Sequence, residues 1–466
     1  MKIKFLSLIS IFILVLIGMT SCLKDNDVIE YPADATIYSF AINDIKTTII
    51  KEGDTIQFTV NGKDYPFNVN QKEGLIFNRD SLPYNTDVSK VSLNILTAGG
   101  PVYYQKNGKD TLWTSADSLN FTNTSSTSPI LFKVFSPDLQ NERNYKVWMN
   151  VYKQNPDSLL WTQLKSAGFP GSLITGKQKA VVLKDRIYVF AEVGAQVKVT
   201  STAVNDGVNW TTLTELAGVT GDVNCSSAVV FDNKLFIVAG ERVCISEDGR
   251  NWTQATSPAV RTFVTSFTNN PVSTRLYSQD KRLIGINGTR FIQTSDGVNW
   301  MEMGEIPTDF PTSGFAASSA YVTNSNSDIE RSVLIGNVEK IDTAAVSWTI
   351  LSNEREYVRL SPFEEGLFNC PKLENLSLIH YGDRLYAFGG KGLYDGSIKP
   401  FQSFYSSVDN GISWMRVNRY VTFPVDFLGR NDQFSYVVDN DHFFWIMWSG
   451  SGEVWKGKIN RLGFEK

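Results

Sequence analysis

A short phrase recurs along the last two thirds of this chain: a tight turn, a tryptophan, then a brief strand-like run. It reads Asn205-Asp206-Gly207-Val208-Asn209-Trp210, Ser246-Glu247-Asp248-Gly249-Arg250-Asn251-Trp252, Thr294-Ser295-Asp296-Gly297-Val298-Asn299-Trp300 and Ser407-Val408-Asp409-Asn410-Gly411-Ile412-Ser413-Trp414, with a degraded copy at Val346-Ser347-Trp348. Successive tryptophans lie 42, 48, 48 and 66 residues apart, close to the length of a four-stranded propeller blade. Such a period implies units that bury their apolar faces on one another, so the ring is the stable object.

Each phrase follows two apolar runs about a tight turn, as in 228–231 and 235–238 around Asp232-Asn233, or 181–183 and 187–190 around Lys184-Asp185. Runs apolar at every position suit inner strands covered on both faces. The Asp-Gly turn then joins the third strand to an outermost strand that carries the tryptophan. The final unit has only three runs, 436–438, 443–447 and 454–459. Its missing outer strand is supplied by Leu160-Trp161-Thr162-Gln163-Leu164, which reads like Trp210-Thr211-Thr212-Leu213. Closing the ring this way leaves no sheet edge at the joint, and it puts Trp161 in one blade with Trp445 and Trp455. The count is six blades, with seven as the alternative.

The Ser407–Trp414 copy fits S-x-D-x-G-x-x-W and resembles the Asp-box of sialidases and related propellers, whereas Leu385-Tyr386-Ala387-Phe388-Gly389-Gly390 resembles a kelch repeat. Both resemblances imply fold and not chemistry: the Asp and Ser bind turn backbone on the face opposite a binding mouth.

Ahead of the propeller, strands at 55–60, 91–96, 130–135 and 145–151 are separated by turns such as Asn61-Gly62-Lys63-Asp64 and Ala98-Gly99-Gly100-Pro101. That pattern fits an immunoglobulin-like sandwich, and the segment from Phe132 to Trp148 looks like the closing hairpin of bacterial Ig-like modules. The expected fold is therefore all-β, an N-terminal Ig-like β-sandwich (31–155) followed by a six-bladed β-propeller (156–466) closed by an N-terminal outer strand. A chain of 466 residues, 42% of them hydrophobic, can fill both cores.

The first 21 residues read as a signal peptide, with Lys2 and Lys4 before an apolar stretch over 5–17. Gly18-Met19-Thr20-Ser21-Cys22 resembles a bacterial lipobox, with Met19 in place of the commoner Leu, which implies acylation of Cys22. Residues 22–30 are then a lipid-anchored tether, and Leu23-Lys24-Asp25-Asn26-Asp27 resembles the surface-export signal of Bacteroides-type lipoproteins. The expected location is the bacterial outer membrane, facing outside. Taken whole, the chain resembles Bacteroides-type surface lipoproteins with an Ig-like module and a six-bladed propeller, a resemblance that brings fold and location but no chemistry. Triplets such as Asp80-Ser81-Leu82 and Asp117-Ser118-Leu119 resemble the O-glycosylation motif of the same group.

Several functions are disfavoured. A net charge of −4 without long basic runs argues against nucleic acid. The three cysteines after Cys22 (Cys225, Cys244, Cys370) make no disulfide framework. The only histidines, His380 and His442, sit beside first-to-second strand turns, so neither a histidine-based triad nor a copper centre can be assembled at a mouth. No metal-ligand spacing appears, and no metal or other cofactor is expected. Carboxylates (Glu364, Glu365, Asp395, Asp426, Glu453) and arginines (Arg242, Arg355, Arg359, Arg419, Arg430) in long loops leave a sialidase-like glycoside hydrolase or lyase as the alternative. A structural subunit of a surface complex is another.

Binding is the expected role, with a glycan or a partner protein as ligand. The connections 352–375, 389–402 and 418–432 are longer than their counterparts in the first three blades and rich in aromatic residues. They should form a lopsided funnel with Tyr357, Tyr394, Tyr420, Arg430 and Trp448 as ligand-binding candidates, Trp448 at its rim.

Overall fold

The computed structural model describes residues 30–51, 54–106, 108–165, 167–267, 281–321, 329–339, 343–361 and 367–463. The leader, Cys22 and the tether as far as residue 29 lie outside the described residues, as do Phe363, Glu364 and Glu365. The chain divides into two compact units between Gln154 and Asn155.

The first unit is a β-sandwich. A six-stranded sheet runs in the order Phe67–Asn70, Leu75–Asn78, Glu142–Trp148, Ile130–Phe135, Val102–Lys106, Lys109–Leu112. It packs on a three-stranded sheet of Ile37–Ile42, Val91–Thr97 and Ser118–Leu119. Alternation explains the layers: in Ile130–Phe135, Phe132 and Val134 are buried while Leu131 faces out. Phe40, Leu93, Phe132, Tyr145 and Val147 share the core between the sheets.

The second unit is the propeller. Six four-stranded antiparallel sheets follow one another, and each lines the ring axis with its first strand: Gln178–Leu183, Val223–Phe231, Thr262–Phe267, Phe315–Tyr321, Ser377–Tyr381 and Phe434–Val438. In the sixth blade, Phe434–Val438, Phe444–Trp448 and Val454–Ile459 are completed by Leu159–Gln163, with Trp161 opposite Gly457. Trp161, Trp445 and Trp455 thus lie in one sheet, as the repeat pattern requires.

The Asp-Gly turns explain why the repeat is written as it is. Asp296 Oδ1 accepts from the backbone N–H of Val298 (2.8 Å) and Asn299 (2.7 Å), and from the Thr294 hydroxyl. In the preceding copy, burial pushes the Asp248 carboxyl up, but bonds from Asn251, Arg250 and Ser246 outweigh it and hold the group at about 2. These aspartates are spent on their own turns. Gly297 has φ +80°, and a Cβ there would come within 2.4 Å of the Phe236 ring in the preceding blade. Glycine is needed both for the backbone and for the fit between blades. Trp252 shows the other half of the device, its ring edge-on to Phe190 of blade 1 at 5.8 Å and its Nε1 donating to Gly249 O.

The degraded copy is corrected by the structure. Trp348 sits inside the third strand of blade 4, Val346–Leu351, and not on an outermost strand. No Asp-Gly turn precedes it to end the third strand, so the strand runs on through the tryptophan, whose ring packs on Phe310 at 5.3 Å. Cys225 and Cys244 lie on the first and third strands of blade 2, both buried as free thiols, and burial pushes Cys225 up to about 12.

Candidate functional site

Antiparallel order puts the second-to-third and fourth-to-first connections of every blade on one face of the ring, opposite the Asp-Gly turns. In blades 1 to 3 the second and third strands are joined by Gly194-Ala195, Gly240-Glu241 and Gly288-Thr289, turns of two residues. In blade 5 the chain runs from Phe388 to Tyr405 before the third strand, and another long excursion, between Arg416 and Phe434, leads into blade 6. The face is lopsided.

These excursions are pinned together. Phe401 N donates to Gly389 O (3.0 Å) and Gly429 N to Pro400 O (3.0 Å), while Val425–Phe427 makes a 3-10 turn behind Pro424. Beneath them lies an aromatic cluster. Phe404 and Phe423 stack at 3.8 Å, and Phe401 and Phe427 both meet Trp448 edge-on, at 4.8 Å and 5.1 Å. Tilted and edge-on rings at such distances are favourable beyond the area they bury.

The five candidates are not gathered into one surface. Tyr394 is 64% exposed. Arg430 lies across the Trp448 ring at 4.2 Å and is engaged by Glu453 (2.7 Å), Asp432 (3.1 Å) and the Ser451 hydroxyl (2.8 Å). Glu453 is raised by burial, but hydrogen bonds from Trp455 and Arg430 prevail and keep it below the usual carboxylate range. Arg430 acts as a clamp over the cluster.

Three placements correct the expected funnel. Trp448 has no exposed surface, because Phe401, Phe427 and Phe434 close over it. The connection 352–375 is split by the fourth strand of blade 4, Val358–Leu360, which leaves Tyr357 in the third-to-fourth connection. There it is buried against Phe291 (4.9 Å) and Phe310 (5.2 Å), and burial drives its hydroxyl far above the ordinary tyrosine value. Neither ring face can stack on a ligand in this structure. Tyr420 is half exposed but lies beside the closing strand, its carbonyl accepting from Leu159 N at 2.9 Å.

Of the remaining charged candidates, Arg359 pairs with Asp309, and Asp395 serves its own turn by accepting from Ser397 N. His380 lies near the end of the inner strand of blade 5, half-buried, and burial lowers its pKa. No group of three or more His, Cys, Asp or Glu side chains placed to hold a metal occurs among the described residues.

What the face does present is aliphatic. Val425 is 87% exposed, and Leu393 and Leu428 are 52% and 50% exposed, on the same two excursions as Tyr394. Sequence reasoning passed over them in favour of aromatics. The signal was the run Phe423-Pro424-Val425-Asp426-Phe427: a 3-10 turn that buries Phe427 turns Val425 outward.

Residues 155–466 match the model of the DUF6242 beta propeller domain, and residues 35–149 match the N-terminal domain of DUF6242, described as a domain of unknown function. No curated protein matches the sequence. Among solved structures, an enzyme of Carbohydrate-Active Enzymes Family AA12 from Trichoderma reesei is 10% identical, covering 65% of this chain and 96% of that one at a TM-score of 0.39. A Trypanosoma rangeli sialidase is 9% identical over 66% of this chain and 60% of that one, TM-score 0.37. The catalytic domain of a Coprinopsis cinerea GH62 alpha-L-arabinofuranosidase is 12% identical over 66% and 98%, TM-score 0.32.

Proposed function

This chain belongs to the DUF6242 family of two-domain β-propeller proteins, and from that premise we propose that it is a binding module that engages a partner protein through the long-loop face. One observation carries the reading. The excursions of blade 5 and into blade 6 are held by a buried aromatic cluster, yet they keep Leu393, Tyr394, Val425 and Leu428 in water. Apolar groups held out on a rigid base lose little further entropy when covered, and exposed apolar patches mark interaction sites. Burial of Trp448 removes from this face the ring best placed to stack on sugars, and Tyr357 belongs to a third-to-fourth connection on the other side of the ring, which favours a protein over a glycan.

Soluble protein from residue 31 onward, screened on peptide and glycan arrays, tests this. Val425→Asp and Tyr394→Ala should each weaken the strongest array signal at least tenfold while leaving the melting temperature unchanged. Val298→Asp, on an Asp-Gly turn and 44% exposed, should not. Equal loss in all three variants, or in none, would remove the assignment of the face.

The same reading includes a lipid anchor at Cys22 on the outer membrane, supported by the Gly18-Met19-Thr20-Ser21-Cys22 motif. Cys22→Ser should release the protein from the membrane fraction or leave an uncleaved precursor. Unchanged fractionation would end that part of the account.

A further inference from the structure

The ring axis holds a cavity of about 510 Å³, lined by the first strands of all six blades. Each of those strands has a ladder partner on one side only. Alternate N–H and C=O groups of the other edge therefore point toward the axis. Blade 5 is closed over by its neighbours: Leu378 N donates to Tyr436 Oη (3.1 Å) and His380 N to Ser318 Oγ (2.9 Å).

Water reaches this space, since Ser226 is exposed and Ser318 and His380 are half-buried along it. Among the described residues its lining carries one ammonium, Lys179, and one carboxylate, Glu330. With a neutral imidazole at His380, the charges of the described lining residues balance. Hydroxyls and backbone groups supply the rest of its polarity.

We propose that this axial channel is a second binding site, separate from the loop face, for a neutral polyhydroxylated solute of mono- to disaccharide size. The chemistry fits in three respects. The volume falls within the range of small-molecule sites, about 300–1,000 Å³. Backbone edges offer donors and acceptors in alternation, and a hydroxyl is both at once. A lining whose described charges balance gives no advantage to an anion or a cation.

Saturation-transfer NMR on the protein from residue 31 onward, with a panel of neutral mono- and disaccharides and their uronic acid counterparts, tests the proposal. At least one neutral sugar should receive saturation, and its uronate should not compete with it. Ser226→Trp fills the channel from an exposed position and should abolish the signal. Tyr394→Ala on the loop face should leave it intact, which separates this site from the proposed protein surface. Should Ser226→Trp fail to fold by near-ultraviolet circular dichroism, His380→Ala serves instead and should weaken binding about tenfold. No transfer to any neutral sugar, a uronate that binds better, or a signal unaffected by the channel variant would each overturn the assignment.

Discussion

Replacing Phe427 by alanine should destabilise the propeller by about 3–5 kcal/mol, the range for a fully buried aromatic. Phe427 has no exposed surface and belongs to a connection, not to a strand, yet its ring meets Trp161 (5.5 Å), Trp448 (5.1 Å) and Trp455 (5.2 Å). Those rings come from the second, third and outermost strands of blade 6, so a cavity at Phe427 opens where the closing blade meets the long loops. The surrounding rings are large and interlocked and cannot collapse into the gap. Denaturant unfolding followed by tryptophan fluorescence measures the loss. The neighbouring Val425→Ala, 87% exposed, should stay within about 0.5 kcal/mol of wild type. A loss below about 1 kcal/mol for Phe427→Ala would mean that the excursion into blade 6 is decoration and not structure.

Trp161→Ala should cost about 3 kcal/mol, at the low end of the range because the indole is only half-buried. Its Nε1 donates to Thr422 O at 2.9 Å, and its ring meets Phe444 at 5.3 Å. It lies so close over Gly457 that a Cβ there would come within 2.8 Å of the indole. Leu160, next along the same strand and 42% exposed, is the control: Leu160→Ala should be nearly silent. Trp161 and Phe427 are in contact, so the double variant should lose less than the sum of the single losses. A Trp161→Ala protein as stable as wild type would contradict closure of the ring by residues 159–163.

The fold was legible in the sequence because its signals are local. Asp-Gly turns three residues ahead of a tryptophan, apolar runs of four about a two-residue turn, and a final unit short of one strand each report backbone geometry that nearby residues determine. The strand seen in Leu159–Gln163 was readable for that reason. Trp348 shows the limit: with the turn chemistry gone, a tryptophan alone does not say which strand it occupies. The candidate site was less legible. Tyr357 and Tyr394 both sit in polar, aromatic-rich loops, but one is 8% and the other 64% exposed. What separates them is Phe291 and Phe310, brought to Tyr357 by long-range packing that no window around residue 357 contains. Trp448 likewise ends a strand of the form Phe-Trp-Ile-Met-Trp, and rings contributed from 401 and 427 bury it.

The central claim, that the long-loop face is where a partner docks, is tested most directly by site-specific photocrosslinking on intact producing cells. A benzophenone amino acid at position 394 or 425 should yield discrete, light-dependent adducts, while the same group at position 298 on the Asp-Gly turn face should yield none. Adducts at 298 with none at 394 or 425 would contradict the account.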